Sequence, residues 1–496
     1  MNVLLVYPEH PVTFWSFTHA LKFIGKKSNL PPLGILTVAA MLPQQWNLKL
    51  IDMNTKMLKD KDIKWADYVF ISAMNIQRQS AQEVINRCKT LGVKTVAGGP
   101  LFSTEPEHYG DVDHLLLYEG EMCIPKFIED LEKGSPQHIY SFEGYPELAQ
   151  TPIPAWELVD MKKYALLSLQ YSRGCPFHCD FCNVVSLFGH KPRTKSAGQI
   201  VEELDVIYRL GWRGSVFFVD DNFIGNKQKL KDEVLPAIIA WMRERDYPFD
   251  FFTEASINIS DDPELMTLMV EAAFDCVFVG IETVDPDSLA ECKKAQNTKR
   301  DLMECVKRIQ EYGMQVQGGF ILGFDNDKPS IFSKMSSFIQ NSGIVTAMVG
   351  LLNAPRGTKL FERMQQEGRL LNDFSGSNTD VNFKTKMDLS DLRDGYNSVV
   401  SSLYSPKNFY KRVKIYLENY RPSVRKRKFG FDDIRYLGAF FKACFLLGVK
   451  CKGRKEYWKL LGWSIRKKSE VFAAAVKFSI YGYHFRKCLK GTAVLN

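Results

Sequence analysis

Cys175, Cys179 and Cys182 stand in the segment Tyr171-Ser172-Arg173-Gly174-Cys175-Pro176-Phe177-His178-Cys179-Asp180-Phe181-Cys182, with Cys-x3-Cys-x2-Cys spacing. Three thiolates on one short loop can take three corners of a cubane [4Fe–4S] cluster, leaving the fourth iron free of protein and open to a small chelating ligand. A structural zinc site is the other chemistry such a triad could serve. It needs a fourth Cys or His at finger spacing, for which His178 and His190 are near. The other chemistry-bearing candidates are polar residues at strand ends: Asp220-Asp221-Asn222, Glu254 and Glu282. An isolated acid more often ends a strand in solvent or caps a helix, and capping is the reading for Asp262, before Pro263-Glu264. Cys276, Cys292 and Cys305 fall on three separate elements and read as core residues.

These residues need a scaffold that gathers them. Around the cysteines, short apolar strands at 165–170, 216–220, 249–255, 276–281, 315–322 and 347–352 alternate with amphipathic helices. The pattern predicts a partial (β/α)6 barrel, in which catalytic groups sit at the carboxyl ends of strands. The cysteine spacing, with Phe181 before the last cysteine, resembles the radical S-adenosylmethionine (SAM) enzymes. That resemblance implies that SAM chelates the fourth iron. It further implies that Asp220-Asp221-Asn222 meets the methionyl amino group, and that Glu254 and Glu282 (in Gly280-Ile281-Glu282-Thr283) contact ribose and methionine. Gly318-Gly319 and Gly323 would bring backbone close to the adenine or to a neighbouring helix.

The first third of the chain repeats the alternation. Strand candidates at 3–7, 48–52, 68–72, 94–97 and 114–117, with a helix opening at Pro31-Pro32-Leu33-Gly34 and another over 81–91, predict a Rossmann-like α/β domain with a parallel doubly wound sheet. Ligands of such sheets bind at the carboxyl ends of strands. That marks Ser72, Asn75 and Gln77 after the third strand, Gly98-Gly99-Pro100 after the fourth, and Tyr118-Glu119-Gly120-Glu121 after the fifth. A Gly-Gly pair lets a bulky ligand lie against bare backbone, or simply makes a tight turn. Ser72-Ala73-Met74 followed by Gly98-Gly99 resembles the Ser-x-Leu and Gly-Gly signatures of cobalamin-binding domains. Their Asp-x-His-x-x-Gly loop is absent, the nearest histidine after the first strand being His10 in Pro8-Glu9-His10-Pro11. The resemblance therefore implies cobalamin held without that histidine ligand.

Together the segments resemble cobalamin-dependent radical SAM enzymes over nearly the whole chain: 3–131, 166–360, and a C-terminal extension that includes 382–387 and 403–410. The overall pattern looks like bacterial hopanoid and related lipid methylases. It implies a C-methyltransferase acting on an unactivated carbon of a hydrophobic substrate, with a flavodoxin- or ferredoxin-like electron donor. In the implied mechanism a 5′-deoxyadenosyl radical from SAM takes a hydrogen from substrate, methylcobalamin delivers the methyl group, and a second SAM restores it. Radical SAM cyclases acting on a tetrapyrrole or natural product share the layout and form a ring instead. A tRNA methylthiotransferase would bring three more cysteines in its N-terminal domain, where residues 1–150 hold only Cys88 and Cys123. A non-enzymatic cobalamin-binding regulator would have no use for the cysteine triad.

A chain of 496 residues implies roughly two to four domains. The expected division is 1–145 for cobalamin, 146–360 for the barrel and 361–496 for a mainly α-helical, basic extension. A composition of 45% hydrophobic and 25% charged residues is that of a globular protein. No basic lead or cleavage site precedes the first apolar run, which leads us to expect a cytoplasmic protein. Eleven cysteines with only three clustered fit a reducing compartment and one metal site. The formal net charge of +8 hides an asymmetry, because residues 421–496 carry 19 Lys and Arg against four acids and leave the rest at −7. From 425 to 490 these basic residues interleave with Phe, Trp, Tyr and Leu, while Lys442, Lys450, Lys467 and Lys477 interrupt every run long enough to span a bilayer. The tail reads as a helical bundle or as a peripheral anchor at the inner membrane surface, with Trp458, Trp463 and several Phe on one side. A nucleic-acid surface ranks below both.

Overall fold

The computed structural model describes residues 1–371, 381–421 and 431–491, with side chains of the last segment described from 437 to 489. Residues 425–430 of the basic tail lie outside the described residues.

Val3, Leu4, Leu5 and Val6 have no solvent exposure, as a strand covered on both faces requires. They form the body of β1 (Asn2–Tyr7), in a sheet with β2 (Asn47–Asp52), β3 (Tyr68–Ser72), β4 (Lys94–Gly98), β5 (His114–Leu116) and β6 (Ile139–Tyr140). The order is β2-β1-β3-β4-β5-β6 and every pairing is parallel. The sixth strand is not expected from the sequence, since two residues show no periodicity. Helix Arg78–Leu91 buries Ala81, Val84, Ile85 and Cys88, a 3.6-residue stripe. It ends at Gly92, whose φ of 68° suits glycine.

The second sheet contains all six strands expected of the barrel: β7 (Leu167–Leu169), β10 (Ser215–Phe218), β11 (Asp250–Glu254), β12 (Phe274–Glu282), β13 (Gln315–Leu322) and β14 (Ala347–Leu351). They pair in parallel in the order β14-β13-β12-β11-β10-β7. A short antiparallel pair, β8 (Ser172–Arg173) with β9 (Arg193–Thr194), braces the cysteine loop. Strand alternation sorts the side chains. Val216, Phe218, Phe251 and Val277 are fully buried, whereas Phe217, Phe252, Glu254 and Phe278 face the interior cavity. Asp262 accepts from the Leu265 amide at 3.1 Å and so caps helix Pro263–Glu271, as its sequence context suggests.

The C-terminal region is helical where described: Leu389–Tyr404, Pro406–Asn419, Phe431–Phe445, Arg454–Ser464 and Ser469–Gly491. The last of these returns to the beginning of the chain, stacking Phe485 on Phe14 with ring centroids 4.1 Å apart. His484 Nε2 lies 2.9 Å from the Phe14 carbonyl. The tail is therefore part of the folded body rather than an appendage.

Candidate functional site

The cysteine loop starts at a residue that can only be glycine. Gly174 has φ 91°, and a Cβ there would come within 2.9 Å of the Gly189 and Lys191 carbonyl oxygens. Hydrogen bonds fix the rest of the loop: Cys175 N to Gly189 O at 3.2 Å, Asp180 N to Cys292 O at 3.1 Å and Leu360 N to Asp180 O at 2.8 Å. Burial, then the neighbouring Cys179, push the Cys182 thiol up to about 12, with a backbone hydrogen bond and Lys294 opposing; burial likewise raises Cys175. Buried thiols of this kind stay protonated unless a metal centre holds them as thiolates, so the donor set fits a cluster. Asn222 Nδ2 points to Cys175 Sγ at 4.0 Å and Gln296 Nε2 to Cys179 Sγ at 3.7 Å. Among the described residues no three His, Cys, Asp or Glu side chains converge as the ligands of one mononuclear ion would. His178 and His190 pack ring against ring instead, 3.9 Å apart.

The acids sort into different tasks. Asp220 is fully buried, and its carboxylate accepts from the backbone amides of Tyr171 and Ser172 and from the Ser172 hydroxyl. It anchors the strand that enters the cysteine loop while still lining the cavity. Asn222 is likewise held by Ser256, whose amide donates to its Oδ1 at 3.2 Å. Asp221 and Glu254 remain on the cavity wall. Burial, then repulsion from Asp221, Asp220 and Glu282, push Glu254 up to about 8, and burial raises Asp221 to about 6. Glu282 sits at φ 64°, a left-handed conformation that non-glycine residues adopt under constraint, and pairs with Lys294 at 2.7 Å. A cluster of raised carboxylates fits a ligand that brings positive charge, which the sulfonium and ammonium groups of SAM do.

A pH experiment follows. In the chain free of cofactors, Glu254→Gln should raise the thermal midpoint by a few degrees near pH 8 and leave it unchanged near pH 4. The raised pKa means that stability fully present below the ordinary glutamate value of 4.5 is lost as pH rises through about 8. An equal shift at both pH values would contradict this.

At the first sheet the candidates divide between the cavity wall and bonds within the protein. Gln77 is buried, donating from Nε2 to Pro8 O at 2.6 Å and accepting from Met74 N at 2.9 Å. Asn75 takes a bond from Thr104 Oγ1 at 3.4 Å. Neither lines the cavity; Gln77 joins the loops after β1 and β3, and Asn75 joins the loop after β3 to the segment after β4. Ser72, Gly98, Gly99 and Glu119 do line it. The glycines are demanded by the chain itself, since a Cβ at Gly99 (φ 98°) would meet Ala73 O at 3.0 Å and one at Gly98 would meet Leu116 O at 3.0 Å. Glu119 also belongs to an ion-pair cluster that ties the segment after β5 to the β8–β9 pair that braces the cysteine loop. Its carboxylate pairs with Arg173 and, at 2.6 Å, with Arg193, while Glu121 pairs with Arg173 at 2.7 Å. These arginines were not singled out in the sequence, and nothing local marks them. The same holds for Lys294 and Gln296.

One cavity of about 2220 Å3 joins the two halves of the site. Its wall runs from Ser72, Gly99 and Tyr118 at the first sheet to Asp221, Glu254 and Phe278 in the barrel, with His10 and Trp15 from the loop after β1. Sites for a single drug-sized ligand span roughly 300–1,000 Å3, so this space suits more than one large molecule. The thiols and Glu282 stand just outside the lining, and Asp221, within electrostatic reach of Cys175 and Cys182, links them to it.

Comparison with known proteins bears on each part of the chain. Residues 26–127 match the B12 binding domain, 169–338 the radical SAM superfamily, and 358–493 a domain of unknown function, DUF4070. A protein of Synechocystis described as an uncharacterized methyltransferase is 39% identical over 98% of this chain and 91% of its own length. The hopanoid C-2 methylase of Rhodopseudomonas palustris is 33% identical over 92% of this chain and 88% of its own. Among solved structures, the radical SAM methyltransferase TsrM of Kitasatospora setae, with cobalamin and a [4Fe–4S] cluster bound, shares the fold with a TM-score of 0.61. The match is 13% identical and covers 99% of both chains.

Proposed function

The chain belongs to the cobalamin-binding radical SAM enzymes, the family of the hopanoid C-2 methylase, and from that premise we propose that it methylates an unactivated carbon of a hydrophobic substrate. The observation that carries the reading is the single cavity, which meets the acids beside the cysteine loop on one side and the glycine-bearing strand ends of the first sheet on the other. The [4Fe–4S] cluster and SAM, when bound, supply a hydrogen-abstracting radical and cobalamin supplies the methyl group.

The rest belongs to this chain's residues. Cys175, Cys179 and Cys182 would hold the cluster, with the Asn222 and Gln296 amides beside their sulfurs. Asp221 and Glu254 would ionise as the positive groups of SAM approach and then balance their charge, and Lys294 keeps Glu282 oriented. Ser72, Gly98 and Gly99 would face cobalamin. Phe217, Phe252 and Phe278 give the substrate an apolar bed that excludes water. A one-electron reductant is needed, and a flavodoxin- or ferredoxin-type protein is our proposed donor. Incubating the reconstituted chain with a bacterial lipid extract and SAM carrying a deuterated methyl group should yield a lipid product bearing that label. A ring-closed product without label would support cyclisation instead.

We propose that the enzyme works at a membrane surface, through Phe residues of the tail and their apolar neighbours more than through Trp463. No described helix is long and apolar enough to cross a bilayer. Trp463 is partly buried against the core under Lys414 and Lys467. The outward apolar stripe lies on helix Phe431–Phe445 and its continuation, where Leu437, Phe441, Phe445 and Val449 are 52%, 67%, 54% and 56% exposed. Four-residue spacing puts them on one face, flanked by Lys442, Lys450, Lys452 and Arg454. Each such cation near an anionic surface contributes about 1 kcal/mol. Phe441→Ser with Phe445→Ser should cut co-sedimentation with phosphatidylserine-containing vesicles at least about tenfold, and salt should weaken binding of the parent. Undiminished binding of the double variant would sink this placement. Deleting the tail would be a poor test, because helix Ser469–Gly491 packs on Phe14 and lines the cavity.

A further inference from the structure

At the amino-terminal ends of the barrel strands, opposite the cysteine loop, the cavity wall turns polar. Asp250 begins β11, Asp275 and Cys276 lie at the start of β12, Gln315 begins β13 with Gln317 one layer above, and Lys477 enters from helix Ser469–Gly491. This end of such a barrel ordinarily serves stability alone. Here its polar groups are poorly satisfied by the protein. Gln315 is only 5% exposed, yet its Nε2 has no hydrogen-bond partner among the described residues, an arrangement that folded proteins avoid. Gln317 Nε2 has Cys276 Sγ at 3.2 Å, a weak acceptor. Asp275 is open to the cavity, with the Asp250 carboxylate and the Lys477 ammonium within electrostatic reach, while Asp250 itself takes the Ser215 hydroxyl. Between this floor and the carboxyl ends the lumen is aromatic. Phe217 stacks on Phe252 at 4.3 Å, and Trp15 meets Phe278 edge-on at 5.3 Å.

We propose that Asp275, Gln315, Gln317 and Lys477 form a polar subsite for a hydroxyl-bearing end of an otherwise apolar substrate. The mixture of donors and acceptors suits hydroxyl groups, which do both, whereas a lone carboxylate or ammonium would meet a like charge. Along β11 from Asp250 to Glu254 the strand rises roughly 13 Å. The polar end and the carbon to be methylated then lie at least about that far apart. Only this last step rests on the methyltransferase reading; the subsite is a matter of binding.

The test uses the full chain with hexadecane and 1,2-hexadecanediol as paired probes, read by equilibrium partitioning. The diol should bind roughly tenfold more tightly than the hydrocarbon. In Gln315→Leu and in Asp275→Asn that preference should fall to within about twofold, with hydrocarbon affinity held. Iron and corrinoid per chain at parental levels would show that each variant folds. Equal affinity for the two probes in the parent, or a preference intact in both variants, would overturn the proposal. A preserved preference in a chain that transfers no methyl group would leave the subsite standing and remove only its place in catalysis.

Discussion

Cys179→Ala should leave the anaerobically reconstituted chain without cluster absorption and without 5′-deoxyadenosine formation. Iron should drop from about four atoms per chain to background. The size of the effect follows from the lack of a substitute ligand. The Asn222 amide lies beside the Cys175 sulfur and the Gln296 amide beside the position that loses its thiol, and His178 is packed against His190. With two thiols left, two irons of a cubane would lie open, where the chemistry calls for one. Iron near four per chain that survives replacement of all three cysteines would refute the assignment.

Arg173→Met should be the most destabilising single change away from the cysteines, costing about 3–5 kcal/mol, because removing one partner leaves buried charge uncompensated. Arg173 serves Glu119 and Glu121, whose side chains are 2% and 9% exposed. Arg193 still neutralises Glu119, but among the described residues Glu121 keeps no cation as a partner, only neutral donors such as the Thr151 hydroxyl at 3.0 Å and a backbone amide. Although burial pushes it up, the Arg173 hydrogen bonds and charge hold Glu121 below the ordinary carboxylate range in the parent. A depressed pKa contributes stability that is present above the unfolded value and lost as pH falls through the folded one. The difference between variant and parent should therefore narrow in acid. Denaturant titration at neutral pH measures the effect, and a loss under about 1 kcal/mol would show that the cluster of ion pairs does not hold the segment after β5 to the β8–β9 pair.

Much of this architecture is legible in the sequence because its determinants are local. All six barrel strands announce themselves as short runs of Val, Ile, Leu and Phe ending in polar residues, and the three thiols sit within eight positions of one another. What escapes the sequence depends on contacts between distant residues. Arg173 meets Glu119 across a separation of 54 positions and Arg193 meets it across 74. Gln77, which reads as a ligand contact at a strand end, is instead an anchor because Pro8, 69 residues away, presents a carbonyl to it. Asp220 shows the same limit within a correct motif. Position at the end of β10 marks it as a site residue, but only the fold shows that its carboxylate is spent on the backbone of Tyr171 and Ser172. Glycine pairs are ambiguous in a similar way, for Gly98 and Gly99 are required by the Leu116 and Ala73 carbonyls whether or not a ligand lies beyond them.

We propose that one cavity unites hydrogen abstraction with methyl transfer. The most direct test is the stoichiometry of a single reaction: methylated lipid, 5′-deoxyadenosine and S-adenosylhomocysteine counted together in the reconstituted chain supplied with SAM, cobalamin and a one-electron reductant. The account predicts the three products in equal amounts, one SAM consumed for the radical and a second for the methyl group. Formation of 5′-deoxyadenosine with altered substrate but without S-adenosylhomocysteine would contradict it.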